Sequence, residues 1–556
     1  MPRASLASDP GGGVRMRVLS RVVLGALALT LLAADAEHVA PARLANLGNG
    51  HHEITTSSKQ AQAWFDQGLA LTFGFNHDAA IRSFEQGARV DPACAMCWWG
   101  VGLAYGPNIN APMGPEAARA AWDALQQAQA QAPKVSKRER AYIAALAKRY
   151  AADAPEDRKS LDVAYAEAMR DLHRADPSDL DAAVLYAEAL MDLYPWDYWT
   201  DDAEPREHTG EILKRLEFVL ERDPRHLGAN HYYIHAVEEF YPKRAEAAAD
   251  RLGDLAPDAG HLVHMPSHIF WRLGRYDDAL QINVRAAAAD EAFFASCRAG
   301  AFYRAAYYPH NIHFLWAAAS TDGQSEVALA AARKLEARTR RKLGEFPFVE
   351  EFMATPLQTL VRFGRWDAVL GEPAPDTERR YLTGIRHYAR GVAFTRKGDL
   401  AAAAAELKAV RSVRAEPAMQ EFILAGGIAP ASQLLGIAEA DLDGELAMAR
   451  GQDEAGIAAL TRAVELQDGL LYMEPPPWYL PQRQALGAAL LDNGQAGRAE
   501  KIYRSDLEQY PRNGWSLLGL SKSLRAQGRD DEAAIVEQGF ENAWARADVK
   551  LETSRF

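Results

Sequence analysis

The chain has 556 residues, 48% of them hydrophobic and 25% charged, which is ordinary globular material, enough for several domains or for one extended repeat array. A formal charge of −13 with a pI near 5.7 argues against a nucleic-acid partner, which would favour a basic face to neutralise phosphates. No long run of Lys or Arg offsets that balance.

The N-terminus reads as a secretory leader. Arg15, Arg17 and Arg21 precede the apolar stretch 22–34, which ends on the small-residue pattern Ala34-Asp35-Ala36; cleavage is expected after Ala36, and Met16 is an alternative start. The apolar run is short for a membrane anchor, no second run of about 18 apolar residues follows, and no Cys stands at the cleavage point for a lipid. The expectation is a signal peptide over 1–36, an N-terminal extension over 37–59, and a periplasmic or secreted protein with no membrane span in the mature chain.

The first helical pair is predicted in "WFDQGLALTFGFNHDAAIRSFEQGARVDP", with Trp64, Gly68, Ala80, Phe84 and Pro92 as its punctuation; "WWGVGLAY" repeats the opening with Trp98, Gly102 and Tyr105. Between them lie Cys94 and Cys97, as C-A-M-C. Trp98 stands where a haem c attachment motif needs His, so the pair reads as a local disulfide, as two small core residues, or as a redox or soft-metal site with Met96. Cys297 is left over. Two insertions follow, "GPNINAPMGP" (106–115) and "YPWDYWTDDAEP" (194–205), whose composition is that of loops; each either connects helices or covers an end or face of the array.

Pro177 and Pro224 close further units after Asp, and "RLGRYDDALQINVRAA" and "RKGDLAAAAAELKAV" repeat a second-helix pattern. "GEPAPD" (371–376) and "EPPPWYLP" (474–481) are breaks. Near the C-terminus the repetition is plainest: Gly487 and Ser521, Leu490 and Leu524, Gly494 and Gly528, and Ala499 and Ala533 are all 34 residues apart. That period and the small-residue pattern resemble the tetratricopeptide repeat (TPR) family over most of 60–545. The "NHDAAIRSFEQGARVDPACAMCWWG" opening is similar to that of long exported bacterial TPR proteins.

The resemblance implies an all-α, TPR-type α-solenoid, a right-handed superhelix of antiparallel helix pairs with loop insertions. It would be divided into an N-terminal array over 60–370, with a His-rich concave face, and a C-terminal array over 377–548. Almost no alternating strand pattern appears, which agrees.

Three segments, "HYYIHAVEEF", "GHLVHMPSHIF" and "YPHNIHFLW", hold seven of the fifteen histidines. In a 34-residue register His231 and His235 take positions 5 and 9, His261, His264 and His268 take 2, 5 and 9, and His310 and His313 take 2 and 5. At about 100° per residue those positions lie within about 60° of one another on a helix. In TPR proteins the residues at 2, 5, 9, 12 and 13 of the first helix look into the concave groove, so the resemblance implies that these imidazoles point inward together. Glu238 and Glu239 take 12 and 13 of their unit, and Glu188 and Asp192 take 9 and 13 of the unit before.

Imidazoles from successive helices, four apart within one helix, are the donors that transition metals take: copper, zinc or iron, with room for two ions. His231, His235, His264, His268 and His313 are expected at the centre, with His310, His261 and Glu238 as further ligands. Pro266 weakens the register, because it disfavours helix at Met265 and places His261 and His264 on a preceding loop if the helix starts there. His51 and His52 are expected in a mobile N-terminal stretch, His77 at a turn after Asn76, and His387 facing its partner helix.

Two functions follow. The first is a metal carrier or metalloenzyme with its centre in the groove. The second is an interaction scaffold gripping a peptide or partner protein there without metal. No catalytic residue can be named, and no H-E-x-x-H, G-x-S-x-G, P-loop or dinucleotide-binding glycine motif is present to support a nucleotide or a conventional enzyme.

Overall fold

The computed structural model describes residues 41–297 and 299–556; the leader expected over 1–36 lies outside them. Pro41–Phe556 forms one compact unit. Among the described residues helix dominates, and the strands are a two-residue ribbon pairing Ile423–Leu424 with Ala429–Pro430. No helix there is long and apolar enough to cross a membrane.

The helices pair through tight turns into antiparallel hairpins of the TPR type. Lys59–Phe73 packs on His77–Val90, Arg380–Arg396 on Leu400–Arg414, Ala431–Ala449 on Asp453–Asp468, Gln482–Asp492 on Ala496–Gln509 and Gly514–Ala526 on Asp530–Ala543. One packing device recurs. The ring of Phe84 rests on Gly68 and Gly100, where an added Cβ would come within 2.6 and 2.5 Å of it; Tyr503 rests in the same way on Gly487 and Gly519, at 2.6 and 2.1 Å. The small residues of the repeat therefore let a large ring seat between successive first helices.

One turn signature recurs inside the hairpins. Gly274, Gly323, Gly398, Gly494 and Gly528 have φ between 71° and 82°, each five residues before a fully buried alanine: Ala279, Ala328, Ala403, Ala499 and Ala533. A residue just past a helix end in left-handed backbone is ordinarily glycine, because a Cβ is strained there. In the first hairpin the residue five before Ala80 is Phe75, with φ 54°.

Cys94 and Cys97 form a disulfide, both fully buried at the start of the Ala95–Ala104 helix. Cys297 is free and half-buried. The N-terminal extension is held in place: the Asn46 N–H donates to Asp258 Oδ2 at 2.9 Å, the Leu44 N–H donates to Gln67 Oε1 at 3.0 Å, and His52 is buried.

Candidate metal centre

Four helices meet where the histidines collect: Leu227–Val237, Gly260–His264, Pro266–Arg272 and Tyr307–Thr321. Gly228 lets the first of them approach the end of the Lys59–Phe73 helix, since an added Cβ would sit 2.6 Å from the Phe73 ring. That approach brings the Phe73 carbonyl to His231. Pro266 does not turn the chain aside: Met265 keeps right-handed helical angles, φ −50° and ψ −37°. His261 and His264 are helical, and His268 continues on the same side, so the loop start that Pro266 suggested does not occur.

Six imidazoles form two triads. In one, His231, His235 and His261 each offer a ligand nitrogen within 4.8 Å of the others; in the second, His264, His268 and His310 do the same. The first five are at least 96% buried and His310 is half-buried. The triads are contiguous, with ring centroids of His261 and His264, and of His235 and His268, each 5.8 Å apart. Such spacings compare with those inside a triad, from 4.7 Å for His264 and His310 to 6.4 Å for His235 and His261.

The hydrogen bonds set the tautomers. Asn283 Nδ2 donates to the Ala279 carbonyl at 2.7 Å, so its Oδ1 faces His264 Nδ1, also at 2.7 Å, and that nitrogen carries the proton. His268 Nδ1 lies 3.1 Å from Glu474 Oε2 and 3.4 Å from Glu238 Oε2, so it too donates. Each ring's Nε2 is then left with its lone pair, and the two Nε2 atoms face each other at 3.1 Å. Two facing lone pairs hold together only with an electrophile between them: a proton on one ring, or a metal ion shared by both. For comparison, ligand nitrogens about 2.0–2.1 Å from a tetrahedral metal stand roughly 3.3 Å apart.

In the first triad His231 Nδ1 donates to the Phe73 carbonyl at 2.5 Å, which turns Nε2 inward. His231 Nε2 and both ring nitrogens of His235 and His261 are buried with no hydrogen-bond partner. Orphaned buried nitrogens are costly unless something accepts their lone pairs. Burial lowers the pKa of His231 to about 3. It also holds His235, His261, His264 and His310 well below the usual imidazole range, helped by their imidazole neighbours. These five rings are neutral at physiological pH, the state in which imidazole ligates metal.

Behind the donors sits a carboxylate layer. Glu238 Oε2 lies 3.5 Å from His235 Nδ1 and 3.4 Å from His268 Nδ1, on the side of the His268 ring away from Nε2. Glu238 is thus placed behind the His268 ring and shares that ring's Nδ1 with Glu474. Burial first, then Glu474, raises the Glu238 pKa well above its ordinary range, and burial raises that of half-buried Glu239 to about 7. Carboxylates that orient ligating histidines from the far nitrogen tune metal affinity.

The remaining expected residues lie elsewhere. His313, one of the five histidines expected at the centre, belongs to neither triad. Its ring stacks on Trp316 at 5.1 Å and packs against Phe352, because three residues on from His310 the helix has turned about 60° away. Glu188 and Asp192 are buried with Arg149, whose Nη2 lies 2.5 Å from Asp192 Oδ2. His387 Nδ1 meets Glu406 on its partner helix at 2.5 Å. His52 and His226 share Asp181, at 2.7 and 3.1 Å, in an ion-paired group that includes Asp179 and lines a cavity of 620 Å³.

Several contributors went unnamed in the sequence. Each triad faces one phenylalanine: Phe75 lies 4.5–6.0 Å from His231, His235 and His261, and Phe314 lies 4.7–5.4 Å from His264, His268 and His310. Trp196 of the second insertion stands edge-on to His235 at 5.0 Å and donates from Nε1 to Asn110 Oδ1 of the first insertion at 3.2 Å. Asn110 reaches on to Tyr307, which packs on His261. Both insertions therefore lie over the first triad, and the 474–481 break supplies Glu474. Phe75 had a legible signal, a bulky residue at the glycine place of the turn.

No protein-family model and no curated protein matches the sequence. Solved structures with similar arrangement include human IFIT1 as a dimer with m7Gppp-AAAA, at 11% identity over 88% of this chain and 91% of that one, TM-score 0.30. Others are the APC/C hetero-tetramer Cut9-Hcn1, at 11% over 88% and 95%, TM-score 0.29, and yeast Tom70, at 12% over 88% and 93%, TM-score 0.26.

Proposed function

We propose that this chain is an exported helical-repeat protein that binds transition metal in the buried histidine centre, as a metal carrier or a metalloenzyme. The observation that carries the reading is the pair of Nε2 atoms of His264 and His268, 3.1 Å apart, with both Nδ1 atoms already donating. A proton on one ring would relieve that pair alone. It would leave the partnerless nitrogens of His231, His235 and His261 unsatisfied, whereas a metal in each triad engages all six rings. Copper, zinc and iron all accept neutral imidazole.

Burial of five of the six rings, with the two insertions over the first triad, weighs against the scaffold reading at this face. Elemental analysis of protein purified without an affinity tag, before and after chelation and reconstitution, is the test. Stoichiometric metal that disappears in a His231→Ala, His268→Ala double variant is the expected result. Absence of metal that also cannot be restored, together with a partner captured regardless of chelator, would replace this reading with the scaffold.

A further inference from the structure

Resting on that metal reading, the arrangement of the two triads narrows both the metal and what it meets. The donor set is six imidazole nitrogens, and the acids nearest to it, Glu238 and Glu474, stand at the Nδ1 side of His268. Manganese, magnesium and calcium favour oxygen donors, so this set selects the late transition metals, with copper highest in intrinsic affinity. A three-nitrogen site also leaves each ion an open position.

Charge narrows the choice further, because a buried site penalises uncompensated charge steeply. Around the centre, Glu238, Glu239 and Glu474 face Arg272, whose Nε is 3.7 Å from Glu474 Oε1. Burial of this kind favours ions of low charge, and a cuprous ion brings less charge into the site than a divalent one.

The surroundings are built to exclude water. Phe75 and Trp196, two of the five non-glycine residues with left-handed backbone among those described, at φ 54° and 64°, both set their rings on the first triad. Strain of that kind, of order 1–3 kcal/mol per residue, persists where the surrounding structure enforces it and gathers at functional sites. In the five hairpins that share this turn glycine relieves it at Gly274, Gly323, Gly398, Gly494 and Gly528, so the bulk of Phe75 is what the site retains. A small apolar molecule passes an aromatic seal more readily than water or an ion.

We infer that the two triads hold a pair of cuprous ions that together bind dioxygen between them. Each ion gives one electron, and dioxygen takes the two and becomes peroxide, with its second oxygen–oxygen bonding pair cancelled and the single bond kept. No proton moves and no bond to the protein forms or breaks. Two univalent ions become two divalent ions while the ligand gains two negative charges, so the total charge of the buried centre is the same before and after, and withdrawal of dioxygen returns the electrons.

The test starts from full-length mature protein loaded anaerobically with cuprous copper, freed of excess and then exposed to air. The expected result is two copper ions per chain and a near-ultraviolet absorption that appears in air and fades under argon. No cupric signal should appear in electron paramagnetic resonance, because the two unpaired spins couple through the bridging ligand. Loading His268→Ala, which dismantles one triad, should give one copper per chain and, after chemical oxidation, an ordinary cupric signal. Phe75→Gly, which suits the turn, should keep both ions and shorten the lifetime of the air-induced absorption at least tenfold.

Copper that stays cuprous and colourless in air, one ion per chain in the unaltered protein, or two magnetically independent cupric ions would each overturn the inference. Stoichiometric zinc or cobalt on the same histidines in that event leaves the metal reading standing. Failure to retain any of the three metals removes both.

Discussion

The first hairpin and the penultimate one are built on the same device and differ at a single turn. Phe84 seats on Gly68 and Gly100 as Tyr503 seats on Gly487 and Gly519, and Ala80 and Ala499 are both fully buried five residues after the turn. At the turn itself Gly494 stands with φ 72° and nothing within 4 Å of where a Cβ would be, whereas Phe75 stands with φ 54° and a ring lodged among three imidazoles. The repeat supplies a generic scaffold, and departures from it mark where the scaffold has been put to use. The hairpins from Gln482 to Ala543 contain no histidine, while those from Leu227 to Thr321 gather six into two triads and bury five of them.

The comparison can be broken most forcefully at the shared device. Phe84→Ala and Tyr503→Ala should each cost about 3–5 kcal/mol, the usual range for emptying an aromatic from a packed core, read as shifts in denaturant midpoint. A Phe84→Ala cost far below that of Tyr503→Ala would mean that the two hairpins are not held in the same way.

Acid should separate the two regions next. His231 has its pKa lowered by burial to about 3, so between its unfolded value near 6.5 and that figure the unfolded chain binds more protons than the folded one. Its contribution is complete above about pH 6.5 and is withdrawn as pH falls, by about 3 kcal/mol at pH 4. Hydrogen exchange on metal-free protein at decreasing pH should open Leu227–Thr321 before Gln482–Ala543. Simultaneous opening of both would contradict the assignment of neutral, desolvated rings.

Glu474→Gln tests the layer behind the rings. It keeps the shape beside His268 Nδ1 and replaces the carboxyl group by an amide, so metal affinity should fall about 10–100-fold with little change in folding, measured by competition with a chromophoric chelator. An unchanged affinity would reduce Glu474 to a packing residue. The smallest effect is the most direct measure of the turn: Gly494→Ala meets no neighbour and should cost about 1–2 kcal/mol from backbone strain alone, which is the strain that Phe75 carries. A neutral result would remove the reason for treating Phe75 as exceptional.

Much of this was legible along the chain. The 34-residue spacing of Gly494 and Gly528, and of Ala499 and Ala533, predicts the hairpins that are found, since a helical repeat is encoded by short-range periodicity. Histidines in register likewise predict a gathering of rings, and seven candidates yielded six in contact. His313 stands outside both triads, because about 60° of rotation from His310 sends its ring to Trp316. Glu474 escaped because it is 206 residues from His268, and no local pattern joins a proline-rich break to a distant helix.

By itself the sequence determined that the protein is a helical-repeat array, where its turns fall, and which segments are rich in metal-binding side chains, because each of these follows from the identity of residues within a few turns of one another. Only the tertiary structure decided that six rings divide into two triads, which nitrogens His231, His264 and His268 turn toward one another or toward their neighbours, and that Phe75, Trp196 and Glu474 close around them. Those outcomes depend on ångström distances between groups remote in the chain, and on burial that strips imidazole of its solvent and leaves its lone pair seeking a partner.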